Sequence, residues 1–191
     1  MKQSLVFPAI LALLPFQAAA EAVAYKLDPP HSQALFTYDH NGFSTTFGIF
    51  SGFEGDILFD SEKPEESSVS VSIPVQSLFT GWEARFEHFM SDAFFNASET
   101  DLVTFQSTSI RITGKDQAII TGDLTLNGVT NSVDLDAELN LQGTHRRSGV
   151  SWLGFDATTT LLRTDYGLGL AAPSVSDEVE IVISIEAGAA E

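Results

Sequence analysis

The chain has 191 residues, no cysteine, and 26 acidic against 9 basic residues, for a formal net charge of −17. That charge argues strongly against binding nucleic acid, which needs a cationic face, and disfavours electrostatic docking to anionic lipid headgroups. The missing thiols exclude disulfides, thiolate catalysis and Cys-ligated zinc.

The chain opens with Lys2, the apolar run 5–14, Pro15 and Ala18-Ala19-Ala20. This is the order of a cleavable export signal, and the run is too short for a stable membrane anchor. Residues 1–20 are therefore expected to be removed, with a second small-x-small site at Ala22-Val23-Ala24. The mature domain, 21–191, carries one positive charge fewer and is expected in the periplasm. No later apolar run approaches the roughly twenty residues of a membrane span.

Along residues 25–40, Ala34, Phe36, Tyr38 and His40 alternate with Gln33, Leu35, Thr37 and Asp39, the period-2 pattern of a half-buried strand. Asn41-Gly42 then signals a turn. Residues 43–50 and 53–59 read as a long strand broken near Ser51-Gly52, where Gly48, Gly52 and Gly55 allow the sharp bending of barrel closure. A polar loop at 61–68 precedes a strand carrying Val69, Val71, Ile73 and Val75.

Residues 82–95 form the only later stretch with helical periodicity. Trp82, Phe86, Phe89, Met90 and Ala93 make one apolar face, flanked by Arg85, His88 and Asp92, and Thr80 with Glu83 fits a capping box. Strand patterns then resume. Val103, Phe105, Ile110 and Ile112 mark one strand, and Ile120, Leu124 and Leu126 the next. Asn127-Gly128 makes a two-residue hairpin turn into 129–141, where Val133, Leu135, Ala137, Leu139 and Leu141 alternate. Residues 152–162 and the run Val179, Ile181, Ile183, Ile185 complete the set, with a tail expected to fray from Gly188. The pattern predicts an all-β fold, an eight-stranded antiparallel barrel with one short helical insertion. Such a barrel encloses side chains or one slim ligand.

Six local signatures in series resemble the YceI family of exported, lipocalin-like polyisoprenoid-binding proteins. They are Tyr25-Lys26-Leu27-Asp28 with His31-Ser32; Gly48-Ile49-Phe50-Ser51-Gly52-Phe53-Glu54-Gly55; Ala84-Arg85-Phe86-Glu87-His88-Phe89 with Phe94-Phe95; Thr104-Phe105-Gln106-Ser107-Thr108; Gly122-Asp123-Leu124-Thr125-Leu126-Asn127-Gly128; and Arg163-Thr164-Asp165-Tyr166-Gly167-Leu168. The resemblance covers about 25–187. It departs at Phe86, where the family carries an acid, and at Leu162, where it often carries Asn; both changes make the neighbourhood more apolar. It implies a lipocalin-like barrel holding a long polyprenyl chain, free or attached to a quinone ring.

On this reading Phe36, Tyr38, Phe50, Phe105, Leu124, Leu126 and Phe155 line either a tunnel or a core. Phe89, Met90 and Phe94 serve the lipid path from the helix. Arg85 and His88 stand at the rim, to meet a headgroup, to form a salt bridge, or to serve as a solvated helix flank. The expected ligand is a non-covalent isoprenoid lipid or quinone, with no cofactor, no metal and no nucleic acid; a homodimer stays open. The four His are scattered without a metal-binding spacing, and no nucleophile motif is present. Two alternatives stand beside the carrier: an enzyme acting on an apolar substrate through Arg85 and His88, and a structural module whose core fills itself.

Overall fold

A computed structural model describes residues 22–190; the expected export signal lies outside the described residues. Ten strands form: β1 (Val23–Leu27), β2 (Gln33–His40), β3 (Ser44–Phe50), β4 (Glu54–Phe59), β5 (Ser68–Pro74), β6 (Leu102–Ile112), β7 (Gln117–Leu126), β8 (Val129–Thr144), β9 (Ser151–Leu162) and β10 (Glu178–Ala189). One α-helix among the described residues, α1 (Glu83–Met90), lies between β5 and β6. No described helix is long and apolar enough to cross a membrane.

All strand pairs are antiparallel, and β1, β4, β5, β6, β7, β8, β9 and β10 close into the eight-stranded barrel that the alternation predicts. The hairpin β2–β3 extends two of these walls. β1 and β2 are one wall interrupted by a 3-10 turn at Pro29–His31, where two prolines remove ladder donors. β3 and β4 are another, interrupted at 51–53, where Gly52 takes a left-handed φ of +70°. β10 spans the first break, pairing with β2 at 180–184 and with β1 at 187–189. The expected fraying from Gly188 does not occur, because Gly188 sits between Lys26 and Trp152 in the closing ladder.

Two bulges re-aim side chains, since one extra residue moves the inward set from odd to even positions. On β6 the shift falls between Ser107 and Ser109, so Val103 and Phe105 face inward before it, and Ile110 and Ile112 after it. On β8 it falls between Leu139 and Leu141. The sequence pattern placed Leu141 inside; the bulge leaves it 68% exposed.

The helix is shorter than expected. The chain leaves α-geometry after Met90, and 91–95 turns back through Ser91 N–H to His88 O and Phe95 N–H to Phe89 O. The capping box does not form either. Gly81 adopts φ +74° and Trp82 is the N-cap, so Glu83 is the first helical residue and stands two positions short of the box. Thr80 Oγ1 instead donates to Trp82 O at 2.8 Å.

The tightest packing lies at the end away from the helix. There Tyr25, Leu27, Ala34, Phe53, Ile57, Phe59, Leu153 and Ala187 form one buried cluster.

Candidate ligand-binding lumen

The barrel's own side chains do not fill it. A continuous cavity of about 1010 Å³ runs from His40, Asn41 and Trp82 at one end to Pro64, Lys115 and Gln117 at the other. This volume stands at the top of the roughly 300–1,000 Å³ of ordinary small-molecule sites.

Alternation along β2 aims Phe36 and Tyr38 inward, where their rings stack with centroids 6.4 Å apart. Opposite Phe36 in the β2–β3 ladder is Gly48, and a Cβ there would collide with the Phe36 ring. Glycine is what lets that ring lie flat against the wall. Phe50 meets Phe36 at 5.7 Å and Phe95 edge-on at 6.4 Å. Phe89 reaches Tyr38 at 6.4 Å and Phe94 at 5.2 Å, both edge-on, and Phe94 meets the His88 ring at 4.9 Å. Seven rings thus form one connected path from the rim down the β2 wall. On the far side Phe155 packs edge-on against Phe59 at 6.1 Å. The edge-to-face contacts among them hold the rings in place, and Phe36, Tyr38, Phe50, Phe89, Phe94 and Phe95 are all only partly buried where they line the cavity.

Of the residues the sequence singled out, Phe36, Tyr38, Phe50, Arg85, His88, Phe89, Phe94, Phe105, Leu124, Leu126 and Phe155 all line this cavity. Met90 does not; it is half-buried, and the helix turns its Ala84–Arg85–His88–Phe89 side to the lumen instead. The apolar stripe therefore faces inward only in part: Trp82 and Phe89 line the lumen together with the flanking Arg85 and His88, while Phe86, Met90 and Ala93 do not. An eight-residue helix makes too few turns for its hydrophobic stripe to fix its orientation, and the chain at 91–95 sets it by carrying Phe94 and Phe95 into the barrel. Phe53 and Phe59 line the cavity too, and the same alternation that gave Phe36 would have found them. Tyr166 also does so, from a 3-10 turn with no periodic signal; burial pushes its hydroxyl above the usual phenol range.

Polar groups concentrate at the ends. The half-buried Arg85 donates to Thr80 O at 3.1 Å and lies 5.9 Å from the Trp82 ring centroid. Among the described residues neither Arg85 nor His88 makes an ion pair, so the expected salt-bridge role for this pair is not the one found. A guanidinium bonded through one donor keeps others for an oxygen arriving at the rim. Arg163, also at the rim, is committed: it donates to the carbonyls of Ser176, Leu168, Leu170 and Val175 and fastens the loop that borders the mouth.

One His–carboxylate cluster exists that spacing could not reveal. Asp28, His31 and Glu186 bring their ligand atoms within 4.8 Å of one another, away from the lumen. They partner each other and their surroundings: His31 Nδ1 lies 2.5 Å from Asp28 Oδ2, and Glu186 Oε2 accepts the Trp152 indole N–H at 2.7 Å. Hydrogen bonding to Asp28 raises the His31 pKa above the ordinary imidazole value. The turn itself is tied to β10 through the backbone, Asp28 N–H donating to Glu186 O at 2.8 Å.

Comparisons with known proteins agree with this architecture. The family model of the YceI-like domain matches residues 25–187. The UPF0312 protein of Ectopseudomonas mendocina is 38% identical over 175 residues, covering 92% of this chain and 91% of that protein. BcnA of Burkholderia cenocepacia has a similar fold, with a TM-score of 0.75 at 22% identity over 84% of this chain and 98% of that one. A polyisoprenoid-binding domain from Saccharophagus degradans, implicated in plant cell wall breakdown, superimposes with a TM-score of 0.66 at 16% identity, over 88% of this chain and 99% of that one.

Proposed function

Because the chain belongs to the YceI-like domain family, we propose that it is a binding protein for an isoprenoid lipid, holding the tail in the barrel lumen without covalent chemistry. The observation that carries the reading is the lumen itself, a continuous apolar space lined by connected aromatic rings, with polar groups gathered at its ends. The solved Saccharophagus domain of the same fold, described as polyisoprenoid-binding, supports the ligand class. Burial supplies the affinity: about 0.8 kcal/mol per CH2 makes each five-carbon unit worth about 4 kcal/mol before ordering costs. A branched, semi-rigid chain suits a wall of edge-on rings that contact it over its whole length.

The finer reading is a polyprenyl quinone or alcohol carried or sequestered in the periplasm, reached through the export signal at 1–20. Its head would lie at the rim, where Arg85 and His88 face the lumen one helical turn apart. Arg85 can donate to a carbonyl or hydroxyl oxygen there. Organic extraction of the as-purified mature protein, followed by mass spectrometry, tests this. An extractable prenyl lipid at near-equal molar amount is expected. A lipid-free protein that also fails to take up added prenyl alcohol or quinone would sink the reading.

A further inference from the structure

Four large aromatic side chains stand in solvent on one side of the mouth: Phe43 at 89% exposure, Phe79 at 66%, Trp82 at 64% and Phe47 at 56%. All four come from residues 43–82. Phe43 sits at the tip of the β2–β3 hairpin. Phe47 follows on β3, where its neighbour Gly48 faces Phe36 inside, so alternation turns Phe47 outward. The segment after β5 lies along the free edge of β3: Phe79 exchanges both backbone hydrogen bonds with Ile49, at 2.8 and 3.0 Å. Residues opposite each other in a ladder share a face, which puts Phe79 outside, one rung from Phe47. Trp82 closes the row and also lines the lumen, so the patch is continuous with the cavity mouth.

These rings are not used by the fold. Among the described residues Phe43, Phe47 and Phe79 make no ring contact, and Trp82 only receives the Arg85 guanidinium. Clustered exposed aromatics beside a cavity mark a surface that meets something. At about 150–250 Å² per aromatic side chain, the exposed fractions amount to roughly 400–700 Å², short of the roughly 800 Å² per partner in a stable protein interface. A second copy would also bring another strongly negative surface against Asp39, Glu83 and Glu180, which border the patch in sequence or across the β2–β10 ladder. An anionic lipid surface meets the same repulsion. A neutral-headgroup bilayer does not: Trp collects at its interface, and surfaces carrying Trp and Phe bury them at the headgroup–acyl boundary.

We propose that Phe43, Phe47, Phe79 and Trp82 seat the barrel mouth on the surface of a zwitterionic phospholipid bilayer. Docking on this side aligns the lumen with the layer in which an isoprenoid is dissolved, so the tail passes between two apolar spaces without crossing bulk water. That last clause rests on the isoprenoid reading; the docking does not.

Co-sedimentation of the mature protein with phosphatidylcholine vesicles tests the proposal. Wild-type protein is expected to pellet with the vesicles, less so when phosphatidylglycerol replaces half the lipid. The double variant Phe43→Ser/Phe79→Ser, altered only at exposed positions, is expected to lose roughly tenfold or more of this binding. It should keep wild-type uptake of a prenyl alcohol added from ethanol, which also shows that it is folded. Wild-type protein left in the supernatant, or a variant that pellets equally, overturns the proposal. So does light scattering that shows a wild-type dimer and a monomeric variant, because the patch is then a protein interface. Protein that pellets yet takes up no prenyl compound from any source keeps the docking and removes the isoprenoid reading instead.

Discussion

Leu153 on β9 is fully buried, whereas Phe36 on β2, two walls round the same barrel, keeps part of its ring bare. The contrast extends to the two ends of the molecule. At the base, Tyr25, Leu27, Leu153 and Ala187 interlock where β1, β9 and β10 meet, and Tyr25 adds a hydroxyl contact to Ser151 at 2.9 Å. At the helix end the aromatics touch at their edges and enclose space. Both ends are built from the same alternating strands. What differs is how the inner side chain is covered: Leu153, across from Ala187, is fully buried, whereas Phe36, its ring laid over Gly48, keeps part of its surface on the lumen. Stability and ligand capacity are thereby assigned to different parts of one core, and each can be altered alone.

The largest expected effect is at the base. Leu153→Ala should cost about 2–5 kcal/mol, because close packing leaves little room for collapse around the cavity. Denaturant titration measures it. Prenyl affinity, scaled to the folded fraction, should hold; a parallel loss of both would show that the two ends are not separate. Next comes the lumen. Ala118 lines it on β7 opposite the equally small Ala137, so Ala118→Phe adds a ring where there is space. Affinity for a long prenyl chain should fall roughly tenfold, about 1.4 kcal/mol, with a smaller loss for a short one and stability within about 1 kcal/mol. Equal loss for both chain lengths would mean the tail does not extend past that position.

A smaller effect probes the reading of the strands themselves. Leu141→Ser should change stability by less than about 0.5 kcal/mol, since the β8 bulge has already put Leu141 outside. A loss comparable to that of Leu139→Ala would restore the uninterrupted alternation and refute the bulge.

That pair also shows where sequence reasoning stops. Period-2 alternation revealed most walls and the inward strand residues Phe36, Tyr38, Phe50, Phe105, Leu124, Leu126 and Phe155, because a strand with one face inward writes its burial directly into the chain. The Asn127-Gly128 turn was legible for a similar reason: both positions take positive φ, at 52° and 74°. Bulges leave no such mark, and Leu141 continues the pattern past the point where the backbone slips. The helix is shorter than its periodicity predicts and brings Phe89 but not Met90 to the lumen, because its orientation comes from residues 91–95 packing into the barrel. Asp28, His31 and Glu186 meet only through closure of the barrel, which no local spacing encodes. The lumen was the hardest to foresee. Inner aromatics look alike whether they fill a core or border a cavity, and the seating of the Phe36 ring over Gly48 appears only once the register is known.

The smallest effect concerns the mouth. Asp177 accepts the Thr164 hydroxyl at 2.7 Å and the Thr164 N–H at 2.9 Å, tying the Arg163–Tyr166 turn to the start of β10. These bonds, with Arg163 nearby, hold its carboxyl below the usual range. The folded value is the lower one, so this clasp contributes fully above the unfolded carboxylate value near about 3.9 and is lost as pH falls through the folded value. Asp177→Asn should flatten that acid limb of the stability curve without touching the base. Identical acid limbs for the two proteins would remove the clasp from the account.

The register that pairs Tyr25 with Ala189 has a consequence in time as well as space. From β4 to β10 each wall can pair with the one before it as the chain lengthens. The seam is different: it joins the first described strand to the last, so the ring stays an open, curled sheet until β10 is complete. Contacts this far apart in sequence make folding slow, because the loop must be closed before any contact across the seam repays it. Until then β1 and β9 each present an unpaired edge, and the future lumen is an exposed apolar face. The twelve residues of β10 are thus the ones that turn a sticky sheet into a container.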